Sequence, residues 1–143
     1  MRLWIATAAV VATTPAIAHH GFTGRYDVSS PIYINGIVEA ATFGFPHAVI
    51  EITSSCASAP PALTAEFGTG LVAVSSEQRL TVEFPPVGIF NDLEGRIAGG
   101  DQIGMVVFHN CDPPHQLRAQ WVAPVAGEPV LRNRRLQDEV EGC

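Results

Sequence analysis

The stretch Leu80-Thr81-Val82-Glu83-Phe84 alternates apolar and polar residues, and Leu117-Arg118-Ala119-Gln120-Trp121 does the same. A period of two places every second side chain on one face of an extended strand, so each stretch predicts a strand with one buried face. Apolar runs bounded by turn residues predict further strands at 32–43, 47–53, 71–74 and 103–108. Because this period dominates over 3.6, the domain is expected to be all-β.

Interruptions within these strands indicate how the sheet closes. Gly36 breaks the apolar pattern of the first strand, which predicts a bulge or sharp bend by which one strand serves two sheet faces. Pro46 cannot donate to a ladder, so His47 is expected to begin a new strand at an edge. One short helix is predicted at 91–97, covering the barrel end. The expected fold is a mainly antiparallel, OB-like barrel of five to six strands with one short helix.

The beginning of the chain is typical of an export signal. Arg2 precedes an apolar run, and the small residues of Ala16-Ile17-Ala18 form a cleavage box. The run is about half the ~20 apolar residues that a spanning helix needs. Residues 1–18 are therefore predicted to be a cleaved signal peptide. The mature chain, 19–143, is expected in the periplasm or secreted, as a single barrel domain with a polar C-terminal tail and no membrane span.

Charge and motifs exclude several classes of function. The chain has 8 basic and 14 acidic residues and a net charge of −6, whereas nucleic-acid binding needs clustered positive charge. The sequence Gly68-Thr69-Gly70 is too short for a phosphate loop, and the chain contains no lysine to serve one. No serine lies in a nucleophile-elbow motif. The sequence thus favours a binding protein over an enzyme.

Three cysteines, Cys56, Cys111 and Cys143, lie in a chain expected to be exported, where pairing is favoured. A bridge between Cys56 and Cys111 is preferred to one between Cys111 and Cys143, because it would join a loop to a strand end. In a third interpretation, Cys111 is a metal thiolate beside His109 and His115.

Five histidines lie at predicted strand ends or in loops: His19, His20, His47, His109 and His115. Cleavage after Ala18 would give His19 a free amine, which together with its imidazole Nδ1 can chelate one ion. A further imidazole would complete a three-nitrogen site suited to copper. His47 is the candidate third ligand, and His20 is the alternative.

Other interpretations of the histidines stay open. Cleavage one residue earlier would create a different copper or nickel site, with His at position three. His115 is a further candidate metal ligand or an exposed loop residue, and His109 is a candidate rim residue. Adjacent histidines after a signal peptide also occur without any function, because chain ends are often poorly ordered.

The first half of the mature chain resembles a known family. The residues that carry the resemblance are Ala18-His19-His20-Gly21-Phe22, Tyr26-Asp27, Pro31, Ile34-x-Gly36-x-Val38 and Pro46-His47-Ala48. They are similar to short exported bacterial proteins of unknown function that begin with His-His-Ser-Phe and carry Asn-Pro-His. The resemblance implies a periplasmic small β-barrel in which His19, His20 and His47 belong together. Gly21 and Phe45 depart from the pattern, where the family has Ser and Asn.

These observations lead to three functional hypotheses. The first is a periplasmic copper-binding protein for storage, delivery or tolerance, with His19, His20, His47 and His115 as metal ligands and a possible role for a periplasmic protein partner. The second is a non-metal, OB-like interaction module that binds a partner protein or a glycan. The third is an oxygen-activating copper enzyme that uses the same ligands.

Overall fold

A computed structural model of the protein describes residues 24–44, 47–85, 93–132 and 139–143. The predicted signal peptide, His19, His20, Phe45 and Pro46 lie outside these residues. No helix within the described ranges is long and apolar enough to cross a membrane. The elements are β1 (Tyr26–Asp27), β2 (Ile32–Thr42), β3 (Val49–Ser55), α1 (Pro61–Phe67), β4 (Val72–Ala73), β5 (Arg79–Glu83), β6 (Gln102–His109), β7 (Leu117–Pro124), β8 (Leu131–Arg132) and β9 (Glu139–Val140).

Five of the strands close into a barrel in the order β2, β3, β5, β7, β6 and back to β2. Every neighbouring pair is antiparallel except β5 and β7, which run parallel. Numbered along the chain, these strands have the order 1-2-3-5-4, with the third parallel to the fifth, as in an OB-like barrel. The fold class expected from the sequence is therefore confirmed.

Closure of the barrel depends on β2, which pairs with two other barrel strands, as predicted. Its first half pairs with β6 and its second half with β3, and Gly36 lies in the overlap. A Cβ atom on Gly36 would collide with the backbone carbonyl oxygen of Thr53 in β3. The bulge lies further along the strand, between Val38 and Ala40. Gly36 therefore allows close approach of two strands, whereas the bulge bends β2 around the barrel.

The inward faces of the barrel strands form one apolar core. Val82 and Phe84 are fully buried in it, as the alternation in this stretch predicts. Leu93 and Ile97, from the segment expected to cover the barrel, are also buried there. The other buried core residues are Ile34, Val38, Ala48, Ile50, Ile52, Ile103, Met105, Val107, Ala119, Val122 and Leu131.

The second alternating stretch, 117–121, follows the predicted pattern only in part. Ala119 packs in the barrel core as expected, but Trp121 lies in a separate outer cluster. The register between β7 and β6 shifts between Val106 and Val107, so that Gln120 is an extra residue in β7. An extra residue moves the following side chains to the opposite face of the strand.

The described helix, α1, lies where the sequence indicated only a loop. It starts at Pro61, and proline is favoured in the first turn of a helix because its missing N–H has no intrahelical partner there. Its one buried residue, Leu63, packs in the outer cluster with Tyr33 and Val106. A helix of seven residues with a single buried apolar side chain shows no helical period, which explains why the sequence did not reveal it.

Two short strands cover another part of the barrel's outer surface. β1 and β9 pair in parallel, with Tyr26 opposite Glu139. The guanidinium carbon of Arg118 lies 3.8 Å from the centre of the Tyr26 ring, and its Nη2 lies 3.3 Å from Oε1 of Glu139. Arg118 and Tyr26 are fully buried. Residues 139–143 are thus attached to the barrel, which their polar composition did not indicate.

Candidate functional site

The end of β6 brings sulfur and imidazole groups together. β6 ends at His109, and Cys111 forms a disulfide with Cys143. The Nε2 atom of His109 lies 3.2 Å from Sγ of Cys143. Cys143 is exposed and His109 is half-buried. The corner formed by His109, Cys111 and Cys143 is therefore accessible to small solutes.

The expected bridge between Cys56 and Cys111 is wrong. Cys56 is free and exposed, and its thiol lies 3.2 Å from the carbonyl oxygen of Ser75. Pairing of β9 with β1 instead brings Cys143 to Cys111, with a Cα–Cα distance of 5.2 Å, which a disulfide requires. Because this pairing joins distant parts of the sequence, local patterns did not reveal it.

Asp27 lies at the same corner and is held ionised. Its Oδ1 atom accepts hydrogen bonds from the Ser29 amide at 2.8 Å, the Ser29 hydroxyl at 2.6 Å and the Gly142 amide at 2.9 Å. Burial raises the pKa of Asp27, but the hydrogen bonds from Ser29 and Gly142 together outweigh burial and lower the pKa to about 2. A negative charge is therefore fixed beside the disulfide.

Among the described residues, one group of three possible metal ligands has its ligand atoms within 4.8 Å of one another, and it consists of Asp27, His109 and Cys143. The metal-binding form of cysteine is the thiolate, and Cys143 is in a disulfide. The oxidised corner thus offers a metal an imidazole and a carboxylate but no thiolate. Asp27 was not among the predicted metal ligands, and His109 was named only in the third interpretation, beside Cys111 as a metal thiolate.

His115 lies exposed in the loop between β6 and β7, with a φ of 62°. Its Nδ1 atom lies 3.0 Å from the carbonyl oxygen of Asn110. A carbonyl oxygen only accepts hydrogen bonds, so Nδ1 carries the hydrogen and Nε2 of the neutral ring keeps its lone pair. Metal-binding histidines are commonly held in this way, with the non-ligating nitrogen donating to a carbonyl group.

The first described residues pack against the same loop. The amide of Arg25 donates to Oδ1 of Asn110 at 3.1 Å, and the amide of Cys111 donates to the carbonyl oxygen of Arg25 at 2.7 Å. A Cβ atom on Gly24 would collide with the side chain of Asn110. The described chain therefore begins beside the loop that carries His115, four residues after His20 in the sequence.

His47 lies on a different part of the barrel. It lies just before β3, next to Ala48. The carbonyl oxygen of Ala48 accepts a hydrogen bond from the amide of Phe84 at 2.9 Å. On one side of the closed barrel β5 and β7 lie between β3 and β6, and on the other side only β2 lies between them. The structure thus places His109 and His115 at the two sides of one loop, and the one group of three possible metal ligands among the described residues does not include His47.

Comparison with known proteins identifies one similarity. Residues 8–74 match the model of a family of unknown function, DUF6152. The matched region is slightly less than half of the 143-residue chain. It includes His19, His20 and His47 and ends before the loop that carries His109 and His115. No curated protein matches the chain. The function must therefore be inferred from the residues themselves.

Proposed function

We propose that this is an exported protein that binds one copper ion through its mature N-terminus, for storage, delivery or tolerance. Cleavage after Ala18 would free the amine of His19, and this amine together with the imidazole Nδ1 forms a chelate. An α-amino group has a pKa of about 7.7 to 8.0, so copper displaces its proton readily near neutral pH. The disulfide between Cys111 and Cys143 fits an oxidising compartment, in agreement with export.

The orientation of His115 is the observation that carries the proposal. With Nδ1 hydrogen-bonded to the carbonyl oxygen of Asn110, Nε2 is the nitrogen that the neutral ring offers to a metal, and the side chain is exposed. An extended chain spans at most about 3.5 Å per residue, so His20 lies within roughly 14 Å of Gly24. Gly24 packs against Asn110, and the carbonyl oxygen of Asn110 is hydrogen-bonded to the His115 ring. His115 is therefore within reach of a segment of this length that begins at Gly24.

His115 and His47 are therefore competing candidates for the third nitrogen ligand. The position of Gly24 favours His115, whereas the family resemblance favours His47. His20 is adjacent to His19 and would supply either a ligand or a hydrogen bond that orients one. Three nitrogen ligands in a T-shaped arrangement suit Cu²⁺, which prefers tetragonal geometry and binds nitrogen donors more tightly than other first-row divalent ions.

Calorimetric titration with Cu²⁺ tests this proposal. Untagged protein that begins at His19 is compared with protein carrying one extra N-terminal alanine. We expect the extra residue and His115→Ala each to weaken binding at least tenfold, and His47→Ala to have a smaller effect. Equal affinity with and without the extra alanine would contradict the N-terminal site. A loss in His47→Ala alone would assign the third ligand to His47.

A cleft on the described surface supports a second candidate function, an interaction module that binds a partner protein. The cleft has a volume of about 410 Å³ and combines three acidic side chains with two phenylalanines. It lies between α1 and the segment that contains β9. The lining residues are Val28, Glu66, Phe67, Phe108, Gln120, Glu139 and Glu141. If this function is correct, replacing His19, His20 and His47 together leaves partner binding unchanged in a pull-down assay, whereas Glu141→Lys abolishes it.

A further inference from the structure

The Cys111–Cys143 disulfide lies directly against the imidazole of His109. The Nε2 atom of His109 and Sγ of Cys143 are 3.2 Å apart, and Cys143 is exposed. These atoms lie within 4.8 Å of an oxygen of Asp27. Two sulfur atoms, one imidazole nitrogen and a negative charge therefore occupy one accessible corner.

We propose that reduction of this disulfide creates a metal site from Cys111, Cys143 and His109, which takes a thiophilic ion of the Zn²⁺ or Cu⁺ class. Thiolates select these ions over harder ones. The site is absent in the oxidised protein, because a disulfide sulfur is not a thiolate. Metal binding and disulfide formation thus exclude each other at this corner.

The pair formed by His109 and Cys143 is already close to the geometry of such a site. Zinc–sulfur bonds of about 2.3 Å and zinc–nitrogen bonds of about 2.0 Å in a tetrahedron place the ligand atoms on the order of 3.5 to 3.8 Å apart. The sulfur-to-imidazole distance of 3.2 Å is already near this range. After reduction, rotation about the side-chain bonds of Cys111 and Cys143 would let the two sulfur atoms separate to this distance from Cα atoms that lie 5.2 Å apart in the oxidised protein. Three protein ligands leave the fourth position to water or to Asp27.

The charges at the corner also favour a cation. Two thiolates neutralise a divalent ion, and Asp27 adds a third negative charge that is held by Ser29 and Gly142. Arg25 is the nearby positive group, but its guanidinium is paired with Asp112 at 3.5 Å. The bound ion would therefore have a net attractive environment.

The redox step requires a dithiol as reductant. Two electrons and two protons pass from the dithiol to the sulfur–sulfur bond, which breaks to give two thiols, and the dithiol becomes a disulfide. The metal ion then displaces the two thiol protons as it binds. Exchange with a partner disulfide, which takes up the two electrons and leaves as two thiols, re-forms the Cys111–Cys143 bond, removes two ligands and releases the ion.

This inference does not depend on the proposed N-terminal copper site. Cys111, Cys143 and His109 all lie outside residues 8–74, the part that matches the family model. The second site is therefore a property of this chain's own C-terminal half. His109 belongs to this site, whereas His115, at the other side of the same loop, is a candidate ligand of the N-terminal one, so the two sites can be tested separately.

Titration with Co²⁺ under a phosphine reductant tests the second site in a Cys56→Ser background. We expect the reduced protein to bind one Co²⁺ with a thiolate-to-cobalt charge-transfer absorption, which the oxidised protein lacks. His109→Ala should weaken binding at least tenfold, while His115→Ala and removal of His19 and His20 should leave it unchanged. The inference is overturned if the reduced protein shows no such absorption, or if His109→Ala binds equally well.

Alkylation of the reduced wild-type chain provides a second measurement that needs no substitution. With Zn²⁺ present, Cys111 and Cys143 should react with an alkylating reagent at least tenfold more slowly, while Cys56 reacts at its usual rate and acts as an internal reference. Peptide mass spectrometry gives the three rates. Equal reactivity of all three cysteines with and without Zn²⁺ would also overturn the inference.

Discussion

Asp27 connects two distant parts of the chain through a single oxygen atom. Its Oδ1 accepts hydrogen bonds from Ser29, two residues away, and from the amide of Gly142. These bonds stabilise the ionised carboxylate and outweigh the opposing effect of burial, so the pKa falls to about 2. An ionised Asp27 therefore stabilises the folded state by fastening the C-terminal segment to β1.

Replacing Asp27 by Asn should lower the free energy of unfolding by about 2 kcal/mol at pH 7. Because the folded-state pKa is lowered, this stabilisation is present above about pH 4 and is lost as the pH falls towards 2. Urea denaturation of both proteins at pH 7 and at pH 2.5 measures the difference. Asp112→Asn, which removes an exposed ion pair, is the control and should change stability by less than about 1 kcal/mol. A difference for Asp27→Asn that does not depend on pH would contradict this account.

Single residues also show how much of the candidate site was predictable. His115 was predicted as a ligand from its residue type, but the bond that orients its imidazole comes from Asn110, five positions away and across a turn. Asp27 entered the sequence analysis only through the family resemblance, and its position beside His109 depends on the bridge between Tyr26 and Asn110, which are far apart in the sequence. Residue chemistry can be read from a sequence, whereas proximity that arises from distant pairing cannot.

At the scale of elements, the close pairing of β2 with β3, here called the seam of the barrel, depends on Gly36. A methyl group at this position would meet the carbonyl oxygen of Thr53 across the strand pair. We expect Gly36→Ala to destabilise the protein by about 1 to 3 kcal/mol, because β2 and β3 must move apart. Gly44→Ala is the matched control, since a Cβ atom at Gly44 meets nothing within 4 Å. Thermal unfolding of both variants measures the difference, and equal melting temperatures would show that the seam tolerates a side chain.

Most of the strands were predictable because their side chains alternate between core and solvent. The stretch around Val82 has this pattern, and its inward side chains are buried as expected. The pattern gives the wrong expectation where the outer face of a strand is covered by other strands instead of solvent. Arg118 and Gln120 alternate with apolar neighbours and are nevertheless buried, because β1 and β9 cover them. Strands of two residues, such as β1 and β9, are too short to show any period.

At the scale of the whole molecule, the disulfide ties the outer strands to a barrel that has its own core. The bond spans 32 residues, for which the chain-entropy model gives about 3 to 4 kcal/mol of stability. Replacing Cys111 and Cys143 together by Ser should lower the free energy of unfolding by about this amount. Cys56→Ser, at a free and exposed position, should have no effect.

Hydrogen exchange in the same double variant should show where that stability is located. Amides of β1 and β9 are expected to lose protection first, while those of β2, β3, β5, β6 and β7 keep theirs, since the barrel core contains no cysteine. Loss of protection throughout the barrel would contradict an independent core. The barrel must also stay folded without the disulfide if the reduced corner is to bind a metal.

The position of Cys143 has a consequence for biosynthesis. In the exported protein that we propose, Cys56 and Cys111 would reach an oxidising compartment before Cys143, because synthesis and export proceed from the N-terminus. During that interval Cys56, which is not its native partner, is the one cysteine of the chain with which Cys111 can pair. A premature bond between them would then have to be exchanged by attack of the Cys143 thiolate or by a disulfide isomerase. We therefore expect the yield of native protein in cells to depend on isomerase activity, and Cys56→Ser to remove that dependence.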